Sequence, residues 1–288
     1  IVSVSNSGIA KGINPGNARI VVASKTNQTQ RDTCNVYVLV VGTETNPYKI
    51  RTINDLKRMR DRINYQNEKY ATKYFQLNND LDLSNEPEWY PIGKSENTTF
   101  AGQFNGNSKI IRGLKLSNSS DIIHSGLFGC VNNGKILNLG VISNTINANK
   151  KYVGGIVVFF QNGGGTYVVG GLVGLAYKTT ITNSHSIGEI NCNSTDFIHA
   201  GGIVGLVMES TIKGCYTKGK VISNFYSGGI AGESSYSVNI ESCFSETEVI
   251  ANVLNSSNYS MAGGIVGLAR DINIFNNLCC FLRKLTVF

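Results

Sequence analysis

The chain has 288 residues, of which 41% are hydrophobic and 16% charged, so it can bury a core as one large domain or two smaller ones. Its net charge of +7 lies entirely within residues 1–73, and the neutral remainder excludes a general basic field for nucleic acid. It contains no apolar run of about 18 residues, which excludes a membrane-spanning helix, and no Cys-x-x-Cys pair of the zinc type.

Residues 1–41 alternate strand signals with turns. β-Branched and aromatic runs are separated by short segments rich in Gly, Ser, Asn and Pro, which is typical of a β-sandwich. The runs are Ile1–Val4, Ala18–Val22 and Cys34–Val38, and the turns are Ser5–Gly8 and Gly12–Gly16. We predict an incomplete β domain over residues 1–41 and a linker over residues 42–49.

One helix is predicted, at about residues 52–64. Thr52 is a suitable N-cap and Asp55 occupies the reciprocal position of a capping box. The apolar residues recur on one face at Ile53, Leu56, Met59 and Ile63, and the basic residues lie largely on the other, at Lys57, Arg58, Arg60 and Arg62. We interpret the helix as a cap over the open end of a stacked β-structure; the alternative is a basic helix that touches an acidic polymer or lipid headgroups.

Between residues 74 and 107 two features could carry function. Asp80 and Asp82 could bind Ca²⁺, but Ca²⁺ takes six to eight oxygen ligands and no further acid lies nearby, so we favour turn hydrogen bonding. No other cofactor is predicted. Trp89 could stack on a sugar ring, although we favour a buried position near the first turn of the fold.

The remainder of the chain is organised around a repeated pentapeptide, Gly-Gly-Ile-Val-Gly or close variants. From second glycine to second glycine the last four copies are 31, 27 and 35 residues apart, a period typical of stacked supersecondary units. A further copy at Gly154 and Gly155 loses its last glycine at Val158 and is followed by too few residues for a full unit. The other repeat glycines are Gly170, Gly171, Gly174, Gly201, Gly202, Gly205, Gly228, Gly229, Gly232, Gly263, Gly264 and Gly267.

Each repeat has a second half at a fixed distance. Ile181, Ile212 and Ile240 follow the glycine pair by ten or eleven residues, and Cys215 and Cys243 share a position with Ser184. Short β-branched segments without a helical period predict strands. We therefore predict an all-β, parallel β-helix in which these isoleucines and cysteines stack in the core. The glycine pairs would form corners where a Cβ would clash or where φ must be positive.

No catalytic residues are predicted. A glycosidase or lyase needs paired carboxylates, but the acidic pairs Asp80/Asp82, Glu86/Glu88 and Glu246/Glu248 lack the context of a cleft. A His-Glu-x-x-His metallopeptidase motif is absent, and the three histidines, at positions 124, 185 and 199, are far apart in the chain. His185 takes the position of the aromatic residues Tyr216 and Phe244 and is expected to stack with them.

The motifs together resemble a known family. Asn79–Ser84, Trp89–Gly93, Phe100–Gly106, Gly126–Gly129 and the repeated pentapeptide are similar to the GLUG-motif family of bacterial surface proteins, over roughly residues 50–277. Residues 5–40 resemble the C-terminal half of a bacterial immunoglobulin-like domain of the second group. The resemblance implies secretion, a right-handed parallel β-helix, and a place in adhesin-like or cell-wall proteins or in immunoglobulin A-cleaving metallopeptidases.

These observations favour a non-catalytic, secreted or cell-surface module, an adhesin-like stalk or a ligand-display segment, with the β-helix over residues 50–288. The alternatives are a carbohydrate-active enzyme or carbohydrate-binding module, and an accessory region of a larger secreted peptidase. The expected partner is a host or matrix protein or a glycan, bound by loops such as residues 191–198 and 252–259. Nucleic-acid binding and membrane insertion are not expected, and the segment is expected to be monomeric.

Overall fold

The computed structural model describes residues 2–12, 16–39, 41–115, 124–142, 146–148, 166–192, 197–253, 260–280 and 283–287. The chain forms two compact units, Ile1–Tyr48 and Lys49–Phe288. The first unit contains two antiparallel pairs, in which β1 (Val2–Val4) pairs with β2 (Ala10–Gly12) and β3 (Gly16–Ala23) pairs with β4 (Arg31–Val38).

The second unit begins with a capped helix. β5 (Tyr48–Ile50) is followed by α1 (Ile53–Tyr65) and the short α2 (Asn67–Tyr70). The predicted capping box is present: the Thr52 hydroxyl accepts a hydrogen bond from the Asp55 N–H at 3.2 Å, and the Asp55 carboxylate accepts one from the Thr52 N–H at 3.1 Å. Leu56, Met59 and Ile63 are buried, as the apolar periodicity predicts.

Asn64 fastens the helix to the segment that precedes the first full turn of the fold. Its side-chain amide donates to the Pro91 carbonyl at 2.9 Å and its oxygen accepts from the Gly93 N–H at 2.9 Å. Beyond α2 the chain continues through β6 (Tyr74–Leu77), β7 (Leu81–Asp82), a 3₁₀ helix (Glu96–Thr98) and β8 (Gln103–Arg112).

The rest of the unit is a parallel β-solenoid of about six turns, and the chain is 8% helical, which confirms the predicted fold class. Successive turns place strands on three sheets, and nearly every strand pairs with its equivalent one turn later. In chain order the strands are β9 (His124–Ser125), β10 (Phe128–Asn132), β11 (Lys135–Ile142), β12 (Ile146–Ala148), β13 (Thr166–Gly170), β14 (Val173–Tyr177), β15 (Thr180–Thr182), β16 (His185–Cys192), β17 (Phe197–Gly201), β18 (Val204–Met208), β19 (Thr211–Lys213), β20 (Tyr216–Ser223), β21 (Tyr226–Gly228), β22 (Ala231–Ser235), β23 (Val238–Glu241), β24 (Phe244–Val253), β25 (Met261–Gly263), β26 (Val266–Ala269), β27 (Ile272–Phe275), β28 (Leu278–Cys279) and β29 (Arg283–Val287).

The first sheet has the order β25-β21-β17-β13-β9 and the second the order β10-β14-β18-β22-β26. The third, largest sheet contains the remaining strands of the solenoid, and its central path is β27-β23-β19-β15-β11-β16-β20-β24-β28. Because β9 pairs with β13 and β10 with β14, these two turns are direct neighbours. The repeat copy at Gly154 and Gly155 lies outside the described residues.

The core contains one continuous column of side chains in register. It begins with aromatic residues near the helix and continues with isoleucines, each paired with the residue one turn away. All members are buried except the last, which is 45% exposed. The column consists of Phe75, Phe104, Ile136, Ile181, Ile212, Ile240 and Ile274.

The glycine pairs owe their place to close approach, since none of the four described pairs has a positive φ. A Cβ on Gly201 would lie 2.0 Å from the Val204 carbonyl oxygen, and one on Gly202 would lie 2.2 Å from the Gly229 oxygen. The left-handed backbone occurs at other corners, where the φ values lie near +50°, a region that asparagine and glycine tolerate best. One such set is Asn138, Asn183, Gly214, Ser242 and Asn276.

Candidate functional site

Charged and aromatic side chains meet in the middle of the solenoid, around the buried residues His199 and Tyr226. We call this group the His199 cluster; it consists of His199, Phe225, Tyr226, Glu233 and Arg270. The Nδ1 atom of His199, on β17, lies 2.9 Å from Oε2 of Glu233, on β22. These strands belong to the first and second sheets, so the pair bridges two faces of the solenoid.

In neighbouring turns, positions equivalent to His199 and Glu233 are occupied by apolar residues. Glu233 is in register with Leu206 on one side and Leu268 on the other, and His199 is in register with Val168. Val168 and Leu206 pack together in a buried apolar cluster with Cys130, Leu175 and Met208. At one level of the stack, a contact between a histidine and a glutamate side chain therefore replaces an apolar contact.

Two aromatic rings pack against the imidazole. The His199 ring is stacked on Phe225 with a centroid separation of 5.4 Å and lies 4.8 Å from the Tyr226 ring. Arg270 forms a hydrogen bond with the Tyr226 side chain. His199 is only 4% exposed, and the Phe225 and Tyr226 rings are themselves stacked with centroids 3.9 Å apart, so both lie on the same side of the imidazole.

The electrostatics of the cluster favour an ionised Glu233. Burial alone would raise the pKa of this carboxyl, but hydrogen bonds from His199 and Ser235 and the charges of His199 and Arg270 outweigh burial and hold the pKa below its ordinary value. Burial, together with the negative charge of Glu233, raises the pKa of Tyr226. The arrangement can orient an imidazole by means of a carboxylate, the task such pairs perform in many proteins.

Sequence reasoning missed this cluster because it considered the histidines alone. The residues are far apart in the chain and only the register brings them together. One signal was available: Glu233 follows Gly232 at the position that Leu175 and Leu206 occupy after their glycines. A charged residue at an apolar repeat position indicates a specific partner, since an unpaired buried charge is costly.

The stacked residues of the repeat lie in the core. Ile181, Ile212 and Ile240 are in register, and Cys215 and Cys243 are buried free thiols. Their Sγ atoms donate long hydrogen bonds of 3.7 Å to the carbonyls of Ile181 and Ile212, respectively, one turn away. The neighbouring Cys243 thiol, together with burial, raises the pKa of Cys215, so this thiol stays protonated.

The remaining histidines are placed apart from His199. His185 is in register with Tyr216, which is in register with Phe244, as the repeat predicts. The Tyr216 and Phe244 rings are stacked with centroids 5.5 Å apart. Burial lowers the pKa of His185, which keeps the ring neutral and suits its place in this column. His124 is in β9, opposite Val168.

The acidic pairs are engaged locally and are not brought together. Asp80 accepts a hydrogen bond from the Ile110 N–H at 2.9 Å, and Asp82 accepts one from the Ser84 N–H at 2.9 Å. Hydrogen bonds from Ser84 lower the pKa of Asp82, consistent with a turn role. Glu86 forms an ion pair with Lys57. Glu88 is exposed beside the buried Trp89.

Glu246 and Glu248 belong to a ladder of ion pairs across two turns. Lys218 lies 3.0 Å from Glu246, Lys220 lies 3.3 Å from Glu248, and Lys213 lies 3.0 Å from Glu241. Three lysines of one turn therefore face three glutamates of the next. Within the described ranges, no group of three or more His, Cys, Asp or Glu side chains is arranged to hold a metal ion.

Trp89 is a buried residue of the core near α1. It is 3% exposed, and its indole N–H donates to the Leu127 carbonyl at 3.1 Å. The guanidinium of Arg60 lies 4.8 Å from the ring centroid. The indole is thus covered and offers no open face for a sugar. None of the helices in the described parts of the chain has the length and apolar character needed to span a membrane.

Comparison with known proteins gives two kinds of likeness. Residues 165–191 match the family described as the GLUG motif. A crystal structure of a Bacteroides ovatus protein, provisionally named an immunoglobulin A1 protease, superposes with a TM-score of 0.59 at 20% identity over 85% of this chain and 78% of that one. At this identity the likeness shows a shared fold only. No curated protein matches the chain.

A second structure, named IgA1 Protease, is similar to 99% of this chain at 12% identity, and the chain spans 20% of its length. Its TM-score of 0.45 is too low to support a structural argument.

Proposed function

We propose that this chain is a non-catalytic segment of a secreted or cell-surface bacterial protein, which spaces or displays ligand-binding parts in the manner of an adhesin stalk. The observation that carries the proposal is the continuous column from Phe75 to Ile274, in which each turn packs on the next. A repeat structure of this kind is stabilised turn by turn and presents loops on a regular scaffold.

The state of the titratable residues supports a non-catalytic role. Catalytic groups need a pKa suited to proton transfer and access to a substrate. In this chain the carboxylates of Asp80 and Asp82 accept hydrogen bonds from backbone N–H groups. The Glu246 carboxylate accepts a hydrogen bond from the Tyr216 hydroxyl at 2.6 Å and forms an ion pair with Lys218. The His199 imidazole and the Glu233 carboxylate face each other inside the fold, with Nδ1 and Oε2 2.9 Å apart.

Ligand display would use the loops that lead into β17 and β25, two strands of the first sheet. Their edges are Asn191 and Cys192 before β17 and Asn252 before β25, while residues 193–196 and 254–259 lie outside the described part of the chain. The partner proposed for these loops is a host or matrix protein or a glycan. The first unit would contribute part of an immunoglobulin-like domain to the same stalk.

A second candidate is an accessory region of a secreted peptidase. It is favoured by the fold shared with the Bacteroides ovatus protein, because this chain spans 78% of that structure. In that case the solenoid would hold a protein substrate while another part of the parent protein cleaves it. A carbohydrate-active enzyme on the same scaffold is the remaining alternative.

One experiment separates these functions. The chain is incubated with human immunoglobulin A1 and with a panel of neutral and acidic polysaccharides, and products are followed by mass spectrometry and by reducing-sugar release. We expect no product from either substrate. Cleavage that is lost in His199→Gln or Asp80→Asn, while the variant keeps its thermal midpoint, would establish an enzyme and end the stalk proposal.

Binding without cleavage distinguishes the two non-catalytic roles. Immobilised immunoglobulin A1 and, in parallel, extracellular-matrix proteins and a glycan array are probed with the chain. Retention on immunoglobulin A1 alone favours the accessory region of a peptidase. Retention on matrix proteins or glycans favours the adhesin-like segment.

A further inference from the structure

The positive charge of the chain is concentrated around α1 and α2. Residues 49–73 carry eight Lys and Arg residues against three Asp and Glu residues, whereas residues 74–288 carry equal numbers of each sign. A local excess of this kind creates a positive field at one end of an otherwise neutral solenoid.

The acids of α1 do not neutralise this field. The Asp55 carboxylate binds the Arg51 and Thr52 N–H groups at the start of the helix, and Asp61 pairs with Arg60 at 2.8 Å. Lys57 is paired with Glu86. Among the described side chains no ion pair involves Arg58, Arg62, Lys69 or Lys94.

These four cations and one tyrosine form a single surface, which we call the cap surface: Arg58, Arg62, Tyr65, Lys69 and Lys94. Arg58, Arg62 and Tyr65 follow one another at intervals of four and three residues, so they lie on one face of α1. The buried residues Leu56 and Met59 lie away from this face. Lys94 joins the surface because its Nζ lies 4.5 Å from the centroid of the Tyr65 ring.

The aromatic rings hold the cations in place. Tyr65 is 71% exposed and carries Lys94 over its ring, while Arg62 and Lys69 lie 4.9 Å and 5.6 Å from the Tyr70 ring centroid. Cation–π contacts restrict long side chains that would otherwise move freely. Aromatic contacts therefore restrict Arg62, Lys69 and Lys94, three of the four cations of the cap surface.

We propose that the cap surface binds a linear acidic polysaccharide through its carboxylate or sulfate groups. Three classes of polyanion could meet a positive surface, and the geometry disfavours two of them. A membrane-binding helix inserts a free apolar face, but that face of α1 is buried in the protein. A single-stranded nucleic acid stacks its bases on open aromatic faces, but here the rings already carry cations.

This inference goes beyond the proposed stalk function and is independent of it. Polysaccharide binding at the cap surface would add an attachment point at the end of the solenoid opposite β25–β28. A solenoid without such binding could still space other domains. Failure of one proposal therefore leaves the other standing.

The test uses the whole chain and three polymers: polygalacturonate, heparin and neutral dextran. Binding is measured by biolayer interferometry from 50 to 300 mM NaCl. We expect both acidic polymers to bind and dextran not to bind. The affinity for the acidic polymers should fall at least tenfold between 50 and 300 mM NaCl, roughly as the release of counterions from a few charge contacts requires. Arg58→Gln/Arg62→Gln/Lys69→Gln should lose about tenfold in affinity at 50 mM NaCl and show a shallower salt dependence.

The matched control is Lys11→Gln/Arg19→Gln/Lys25→Gln, which removes the same charge from exposed positions of the first unit. It should bind within about twofold of the unaltered chain, because none of these three residues belongs to the cap surface. Lys94→Gln, a change outside the helices, should lose about two- to threefold without affecting α1. Circular dichroism and the thermal midpoint show whether each variant is folded.

Three results would overturn the proposal: no binding of the unaltered chain to either acidic polymer, equal losses in the triple variant and its control, or unchanged binding in a folded triple variant. Vesicles of phosphatidylglycerol and double-stranded DNA are measured beside the polysaccharides. Tighter binding to either of them would show that the cap surface serves another class of partner.

Discussion

At the scale of single residues, the second glycine of each pair is restricted by its equivalent one turn away. A Cβ on Gly229 would lie 2.1 Å from the Gly264 carbonyl oxygen, a backbone atom that cannot move aside cheaply. A Cβ on Gly264 would meet the Cys279 side chain instead. The same repeat position is therefore strict inside the stack and more permissive in the last turn.

The first prediction follows from this difference. Gly229→Ala should lower the free energy of unfolding by well over about 1 kcal/mol, because two backbones must separate to admit the methyl group. Gly264→Ala, the matched control, should cost clearly less, since the Cys279 side chain can rotate. Urea unfolding monitored by circular dichroism measures both. Equal losses would show that backbone approach does not explain the glycine pairs.

The second prediction concerns Glu233. Its pKa is lower in the folded state than the ordinary value of 4.5, so its ionisation stabilises the fold above that pH, and the contribution is lost as the pH falls through the folded pKa. Glu233→Gln should therefore cost about 1 kcal/mol or more at pH 7 and much less at pH 3.

Glu248→Gln is the control for Glu233, because it removes an acid whose side chain is 46% exposed and paired with Lys220. It should cost less than about 1 kcal/mol at pH 7. The measurement is the free energy of unfolding of both variants and of the unaltered chain at pH 3, 5 and 7. A cost for Glu233→Gln that does not change with pH would contradict the assignment of an ionised, hydrogen-bonded carboxylate.

At the scale of elements, charge complementarity helps to fix which turn packs on which. Lys213 of β19 lies 3.0 Å from both carboxylate oxygens of Glu241 of β23, and its other neighbour in register is the neutral Thr182. Two further lysines of the same turn face glutamates of the next. Opposite charges across paired strands favour this pairing.

The third prediction tests this ladder. Lys213→Glu should destabilise the fold by up to about 1 kcal/mol, because it places two glutamates opposite each other at a partly exposed site. The exchanged pair Lys213→Glu/Glu241→Lys should recover most of the loss. Both effects should shrink in 1 M NaCl, where charges are screened beyond about 3 Å. A double variant as unstable as the single one would argue that packing, not charge, sets this contact.

The elements also show what could be predicted from the sequence. The capping box and apolar spacing of residues 52–63 predict α1, and the period of Ile181, Ile212 and Ile240 predicts their stacking, because both patterns are local or periodic. The corner at Asn183, Gly214 and Ser242 was missed, since these residues share only tolerance of the left-handed region. The His199 cluster was missed because its contacts depend on the register of distant strands.

At the scale of the whole second unit, each turn contacts mainly the turns beside it. A destabilising core substitution should therefore affect mainly the turn that carries it and the two neighbouring turns. Ile136 and Ile240 occupy the same core column, both are fully buried, and two turns separate them. Ile→Ala at either site removes the same atoms and should cost about 2–5 kcal/mol. The two changes differ only in position along the stack.

The fourth prediction is that the two variants lose protection from hydrogen exchange in different strands. In native-state hydrogen exchange, Ile136→Ala should speed exchange in β8, β11 and β15, and Ile240→Ala should speed exchange in β19, β23 and β27, each leaving the far end protected. This follows because the stability of a repeat structure is a sum over units and their nearest-neighbour contacts. If either variant raised exchange evenly from β8 to β27, the solenoid would unfold as one cooperative body, and the turn-by-turn account of its stability would fail.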